Sequence, residues 1–162
     1  MSMIGCFAAV DPSQVDALCR EPELLMAHLE QCANDPTRSA DVDKAWHAIH
    51  FMLAGDPDGG EAPAASVVLG GVEVGEDLGY GPARLLTSEE VREIGLFLQG
   101  MPPEQFSLRY APAEMDAAEI YPVVWVEDGE EGREYVAHAY ERLRKFYLEA
   151  AARGDSVVAW LT

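Results

Sequence analysis

The sequence predicts an α+β fold, a single compact domain in which a small mixed or antiparallel sheet is packed with several helices. Three observations carry this expectation. Short apolar runs near the two ends of the chain, Ile4 to Val10 and Ser156 to Thr162, have the length and composition of buried strands. Val136, Ala139, Tyr140, Leu143, Phe146, Tyr147 and Ala150 recur at helical spacing and mark a long amphipathic helix. Between them, capping residues and glycine or proline stops alternate at intervals suited to shorter helices. With 162 residues, 49% of them hydrophobic, the chain can bury a sizeable core and is expected to form one domain spanning 1 to 162.

Taken in order, the Ile4 to Val10 strand is stopped by Asp11-Pro12. There Asp11 suits an N-cap, Pro12 loses nothing by lacking an N–H, and Gln14 completes a capping box for a helix reaching about Cys19. Glu21-Pro22-Glu23 starts a second helix whose apolar stripe is Leu24, Leu25, His28, Leu29 and Cys32, and residues 34 to 39 form a loop. The stretch from Asp41 to Gly55 comes next. Its Trp46, Ile49, His50 and Leu53 fall at i, i+3, i+4 and i+7, so His50 is directed inward, Gly55 closes the helix, and Asp41 or Asp43 caps its front.

Residues 56 to 82 are rich in glycine and lack strong periodicity, a combination more common in functional or mobile segments than in purely structural ones. Within them Ala64 to Gly70 suits a short helix and Val72-Glu73-Val74 a brief extended piece. Gly79-Tyr80-Gly81 exposes backbone N–H groups that an anion could use, but the third fingerprint glycine and a Lys-Ser/Thr pair are missing. A turn with Arg84 paired to a carboxylate is therefore the stronger reading. Leu85-Leu86 is extended, and Thr87-Ser-Glu-Glu90 is a capping box opening a helix that ends at Gly100. Pro103 and Pro112 begin two further short helices, the second reaching Ile120. Tyr121 to Val126, aromatic and β-branched, is expected to be strand-like, and Glu127 to Glu131 a turn. The long helix that follows is expected to carry Glu141–Lys145 and Glu149–Arg153 pairs outside, and the apolar C-terminal strand to be buried in the sheet.

Eleven basic and twenty-nine acidic residues give a net charge of −18, which repels phosphate backbones and anionic membranes and so argues against nucleic-acid and lipid binding. Cys6, Cys19 and Cys32 lack metal-type spacing and are expected as small core hydrophobes in a reducing compartment. The opening residues have no basic n-region and no apolar run nears the ~20 residues a membrane span needs, so a cytoplasmic location is expected. His47 and His50 form a His-x-x-His pair without a third ligand, and neither a metal nor another cofactor is expected.

Several segments together resemble one family nearly end to end. They are Met-Ile-Gly-Cys-Phe at 3 to 7, Asp-Lys-Ala-Trp-His-Ala-Ile-His-Phe at 43 to 51, Val-Leu-Gly-Gly at 68 to 71 and Ile-Tyr-Pro at 120 to 122, with the closing helix and strand. The resemblance is to the YfbM-like family, the domain-of-unknown-function group numbered 1877. It implies a single α+β domain and no particular reaction, and Asp43, Lys44, Trp46, His50 and Phe51 match its central motif.

Two functions compete. The first is a non-enzymatic interaction or accessory domain whose acidic surface meets a basic protein partner, such as a basic toxin or nuclease that it antagonises. The second is a small-molecule enzyme with His50 as general acid/base, Asp43 or Glu119 orienting it, and Trp46, Tyr80, Arg84 and Tyr121 lining a pocket beside the glycine-rich region. No Gly-x-Ser-x-Gly elbow supports nucleophilic catalysis, and no pattern selects an oligomeric state.

Overall fold

Strand β1, Gly5–Val10, lies inside the sheet because its side chains are apolar on both faces. Phe7 and Ala9 point to one layer, Ala8 and Val10 to the other, as the period of two requires. The structure, a computed structural model, describes residues 2–162. A single 3-10 turn, Pro12–Gln14, leads into α1, Val15–Arg20. Asp11 accepts from the Ser13 N–H at 2.9 Å, so it caps this tight turn, in place of the capping box expected with Gln14. Helix α2, Pro22–Cys32, turns Leu25, Leu29 and Cys32 onto the sheet.

Strand β2, Ser39–Asp41, takes the end of the stretch expected as loop and pairs antiparallel with β1. A 3-10 turn at Asp43–Ala45 then enters α3, Trp46–Ala54, which Gly55 closes in the left-handed conformation at φ 74°. Helix α4, Ser66–Leu69, is followed by the hairpin of β3, Val72–Asp77, and β4, Pro82–Leu86. Helix α5, Ser88–Gln99, carries the expected capping box in full, with Thr87 and Glu90 exchanging backbone and side-chain hydrogen bonds. The short helices α6, Pro103–Ser107, and α7, Pro112–Ala117, precede α8, Trp125–Arg153, and strand β5, Ser156–Leu161.

The sheet order is β2-β1-β5-β4-β3, antiparallel throughout. The C-terminal strand is central, between β1 and β4, and is buried in the sheet as its apolar sequence predicts. One face carries a large core in which Phe7, Leu86 and Val157 meet α3, α5, α6, α7 and α8; the Phe106 and Tyr140 rings stack there at 3.8 Å. The other face carries a small core of Ala8, Val10, Leu85 and Val158 beneath α1 and α2. Gly5 permits a close approach of β1 to α3, since a Cβ there would lie 2.7 Å from the Trp46 Cβ.

Four expectations are corrected. Tyr121 to Val126 is no strand: Val123 has φ 62°, its N–H closes a turn on the Ile120 carbonyl, and Trp125 already begins α8. Burial decides this, because the Trp125 ring needs an interior site where its Nε1–H reaches the Ile120 carbonyl at 2.8 Å. The 127 to 131 region belongs to α8, interrupted only at Gly129 (φ 51°, ψ −119°). Val124 cannot cap a helix, so Asp116 of α7 accepts from the Trp125 and Val126 N–H groups at 3.0 and 2.9 Å.

The surface pairs expected on α8 do not form either, among the described residues. Arg153 turns to Asp155 at 2.7 Å, whose carboxylate is 8% exposed and needs the counter-charge more than Glu149 does. Finally, Cys19 is exposed and Cys6 half-buried, so only Cys32 behaves as a core residue. Among the described residues, no helix is long and apolar enough to cross a membrane.

Candidate functional site

Helix α3 holds both histidines against the 56–60 loop. His47 Nδ1 accepts from the Tyr121 N–H at 2.9 Å, which fixes the tautomer and leaves Nε2–H to donate to the Pro57 carbonyl at 3.0 Å. His50 Nε2 lies 3.0 Å from the Gly59 carbonyl, and its Nδ1 is buried without a partner among the described residues. Asp56 completes the loop by accepting from the Asp58 and Gly59 N–H groups at 3.0 and 2.6 Å. Burial pushes both imidazoles below their ordinary value, and for His50 the neighbouring His47 adds to the effect. The pair is therefore neutral at neutral pH and joins α3 to the loop and to the α7–α8 connection.

Trp46 and Tyr121 belong to the same cluster. Their rings stack at 6.1 Å, the indole N–H donates to the Met3 carbonyl at 3.2 Å, and the Met3 N–H donates to the Tyr121 hydroxyl at 3.1 Å. The other anticipated residues lie elsewhere. Asp43 accepts from the Tyr135 hydroxyl at 2.8 Å, which ties it to α8, while His50 makes its hydrogen bond to Gly59. Glu119 is exposed, at a left-handed turn with φ 55°.

Tyr80 stands at the tip of the β3–β4 hairpin, where the Gly79 and Gly81 N–H groups that could cradle an anion already donate to the Asp77 carboxylate at 2.7 and 3.1 Å. Arg84 forms no carboxylate pair among the described residues. Its Nη2 faces the Val68 carbonyl at 3.5 Å, its Nε is buried without a partner, and burial lowers its pKa. The structure thus brings Trp46 and Tyr121 together through His47, holds His50 on the same helix at 1% exposure, and leaves Tyr80 and Arg84 on the hairpin.

A polar cleft of about 350 Å³ lies under α2, lined by Asp11, Gln14, His28, Cys32, Asp35 and Arg38 among others. Cys32 Sγ is 3.4 Å from His28 Nε2, a pairing whose only sequence signal is the i,i+4 spacing on α2. The geometry does not make a nucleophile. His28 Nε2 also lies 2.9 Å from the Ala9 carbonyl, so its proton is directed there and it cannot take the thiol proton. Burial, moreover, raises the Cys32 pKa. Among the described residues, no three His, Cys, Asp or Glu side chains converge to hold a metal ion.

The most extensive chemical feature is the surface charge. Arg109 donates to the Met52 and Leu53 carbonyls at the end of α3, and Arg144 to the Leu98 carbonyl at the end of α5. Arg38, Arg84 and Arg142 likewise face carbonyls of Ala9, Val68 and Asp41. The Met52, Leu53 and Leu98 carbonyls lie in the last turns of their helices, where a cation complements the helix dipole, and the Ala9 carbonyl is shared with His28. Only two ion pairs form among the described residues, Glu130–Arg133 and Arg153–Asp155, against twenty-nine acidic side chains in the sequence.

Comparison with known proteins agrees with this architecture. The chain is 29% identical over 140 residues to Protein YfbM of Escherichia coli (strain K12), an alignment covering 82% of this chain and 81% of that one. The crystal structure of YfbM from Escherichia coli, described as a protein of unknown function, superposes with a TM-score of 0.74. The match has 21% sequence identity and covers 98% of this chain and 99% of the other, a likeness of fold. The sequence profile of the family described as "Domain of unknown function (DUF1877)" matches residues 1–160, and the chain therefore belongs to that family.

Proposed function

We propose that this chain is a non-enzymatic interaction module whose acidic surface takes a basic protein partner. The observation that supports the reading is the use made of the cations: five of the nine arginines face main-chain carbonyls, and most surface carboxylates have no cation at ion-pair distance among the described residues. An uncompensated field of one sign speeds encounter with a partner of the other sign and rejects like-charged competitors. The test is partner capture at low and high salt by wild-type protein and by variants with exposed carboxylates neutralised one face at a time. Binding should weaken as salt rises and should be lost when one particular face is neutralised. Equal retention of the partner by every variant would remove the electrostatic basis.

A small-molecule enzyme built on His50 ranks second. One observation favours it, the buried Nδ1 that lacks a partner among the described residues. Against it, the ring is 1% exposed, and its Nε2 is engaged by Gly59. A metabolite or nucleotide that raises the melting temperature of the wild type but not of a folded His50→Ala variant would reverse the ranking.

A further inference from the structure

We infer that the basic partner binds as an extended segment added to the free edge of β3; the inference rests on the reading of the chain as an acidic interaction module. The sheet has two edges, and they are treated differently. Strand β2 is three residues long, packs beside α8, and has its Asp41 carbonyl taken by the Arg142 Nε–H at 3.2 Å. Strand β3 is six residues long and exposed at all but Val74. Its ladder to β4 is regular from Val72↔Leu85 to Val74↔Ala83, and the sheet order leaves its outer side without a neighbouring strand. Unpaired backbone N–H and C=O groups on such an edge form a template for another strand.

Charge decides which strand. Glu73 and Glu76 stand exposed on this strand, while the Asp77 carboxylate is turned into the hairpin, and a second copy of β3 would bring the glutamates of both copies together. The ladder is interrupted between Val74 and Asp77, with Gly75 at φ 75°, so an added strand pairs first with the regular part of the edge, residues 72–74. A segment rich in lysine or arginine meets the same row favourably. Glu76 also lines a cleft of about 410 Å³ with Arg20, Glu21, Pro22 and Glu23, so further acids flank the edge on its α1–α2 side. Long cationic side chains projecting from the added strand have room there. Exposed Val72, at 65%, supplies an apolar contact at the start of the edge.

The experiment uses the full chain, isotopically labelled for amide detection, and three capped eight-residue peptides. One alternates threonine and lysine, the second has the same sequence with alternate backbone nitrogens methylated, and the third carries glutamate for lysine. The lysine peptide is expected to protect amides within Val72–Asp77 from exchange, while the methylated peptide, equal in charge, and the glutamate peptide do not. Affinity for the lysine peptide should fall at least tenfold in a Glu73→Lys, Glu76→Lys double variant shown by circular dichroism to be folded. If the lysine and methylated peptides bind alike, or the protected amides lie off β3, the edge site is wrong and the acidic-module reading stands. If neither cationic peptide binds even at low salt, both fall.

Discussion

On one face of the sheet, α3, α5, α6, α7 and α8 bury seven aromatic side chains: Phe7, Trp46, Phe106, Trp125, Tyr140, Phe146 and Tyr147. On the other, α1 and α2 cover a small patch of mainly aliphatic residues around Leu25, Leu29, Leu85 and Val158. The thick face meets most of its polar requirements internally: Tyr140 and Tyr147 donate to the Met101 and Val67 carbonyls at 2.5 and 2.7 Å, and His47 and His50 engage the 56–60 loop. The thin face leaves polar and charged groups facing solvent, in the His28–Cys32–Arg38 cleft and along β3. Residue types that look catalytic in sequence can therefore be structural on the thick face, and the proposed docking edge belongs to the strand that the thin layer leaves exposed.

Truncations to alanine should separate the two faces. Trp125→Ala removes a ring at the centre of the thick core together with its bond to Ile120, and should cost about 3–5 kcal/mol in urea unfolding. Leu18→Ala on the thin face, where the side chain is still 8% exposed, should fall near the lower end of the ~2–5 kcal/mol range. Equal losses at both sites would erase the distinction. Gly5→Ala probes the seam between β1 and α3. The added methyl meets Trp46 and Val42 atoms at 2.7 and 2.9 Å, and overpacking of this kind costs about 1–3 kcal/mol.

Asp116→Ala should remove about 1 kcal/mol, the usual worth of a cap, with faster amide exchange confined to the first turn of α8. Exchange accelerated along the whole helix would instead make Asp116 part of the core architecture.

The smallest effect near neutrality is the pH response of the thick face. His47 and His50 have folded values below the ordinary ~6.5, so the unfolded chain binds protons first as pH falls. Their contribution is complete above about pH 6.5 and is lost as pH drops through the folded values. Protonating His47 also requires Nδ1 to give up the Tyr121 N–H. A folded double variant, His47→Gln and His50→Gln, should lose this part of the acid destabilisation, and an unchanged slope below pH 6.5 would refute the assignment.

Much of the fold was legible because local rules and tertiary packing agree. β1 and β5 are apolar on both faces, α5 announces its start with Thr87 and Glu90, and the body of α8 repeats at helical spacing. Where local chemistry and packing conflict, the sequence misleads. Tyr121 to Val126 has strand composition, yet the turn at Val123 and the burial of Trp125 override it. Of the candidate site, the inward direction of His50 was legible from its helical phase; its partner Gly59, and the Tyr121 N–H on His47, were not.

Composition and periodicity by themselves determined the α+β class, the burial of the C-terminal strand, the long helix and the acidic balance, since each depends on residues near in sequence or on a sum over all of them. Tertiary structure alone decided the cap of α8 by Asp116, the turn of the arginines toward carbonyls, and the contrast between a covered β2 and a free β3. Each of these satisfies or exposes a backbone group whose neighbour is distant in the chain, and hydrogen bonds and desolvation act on neighbours in space.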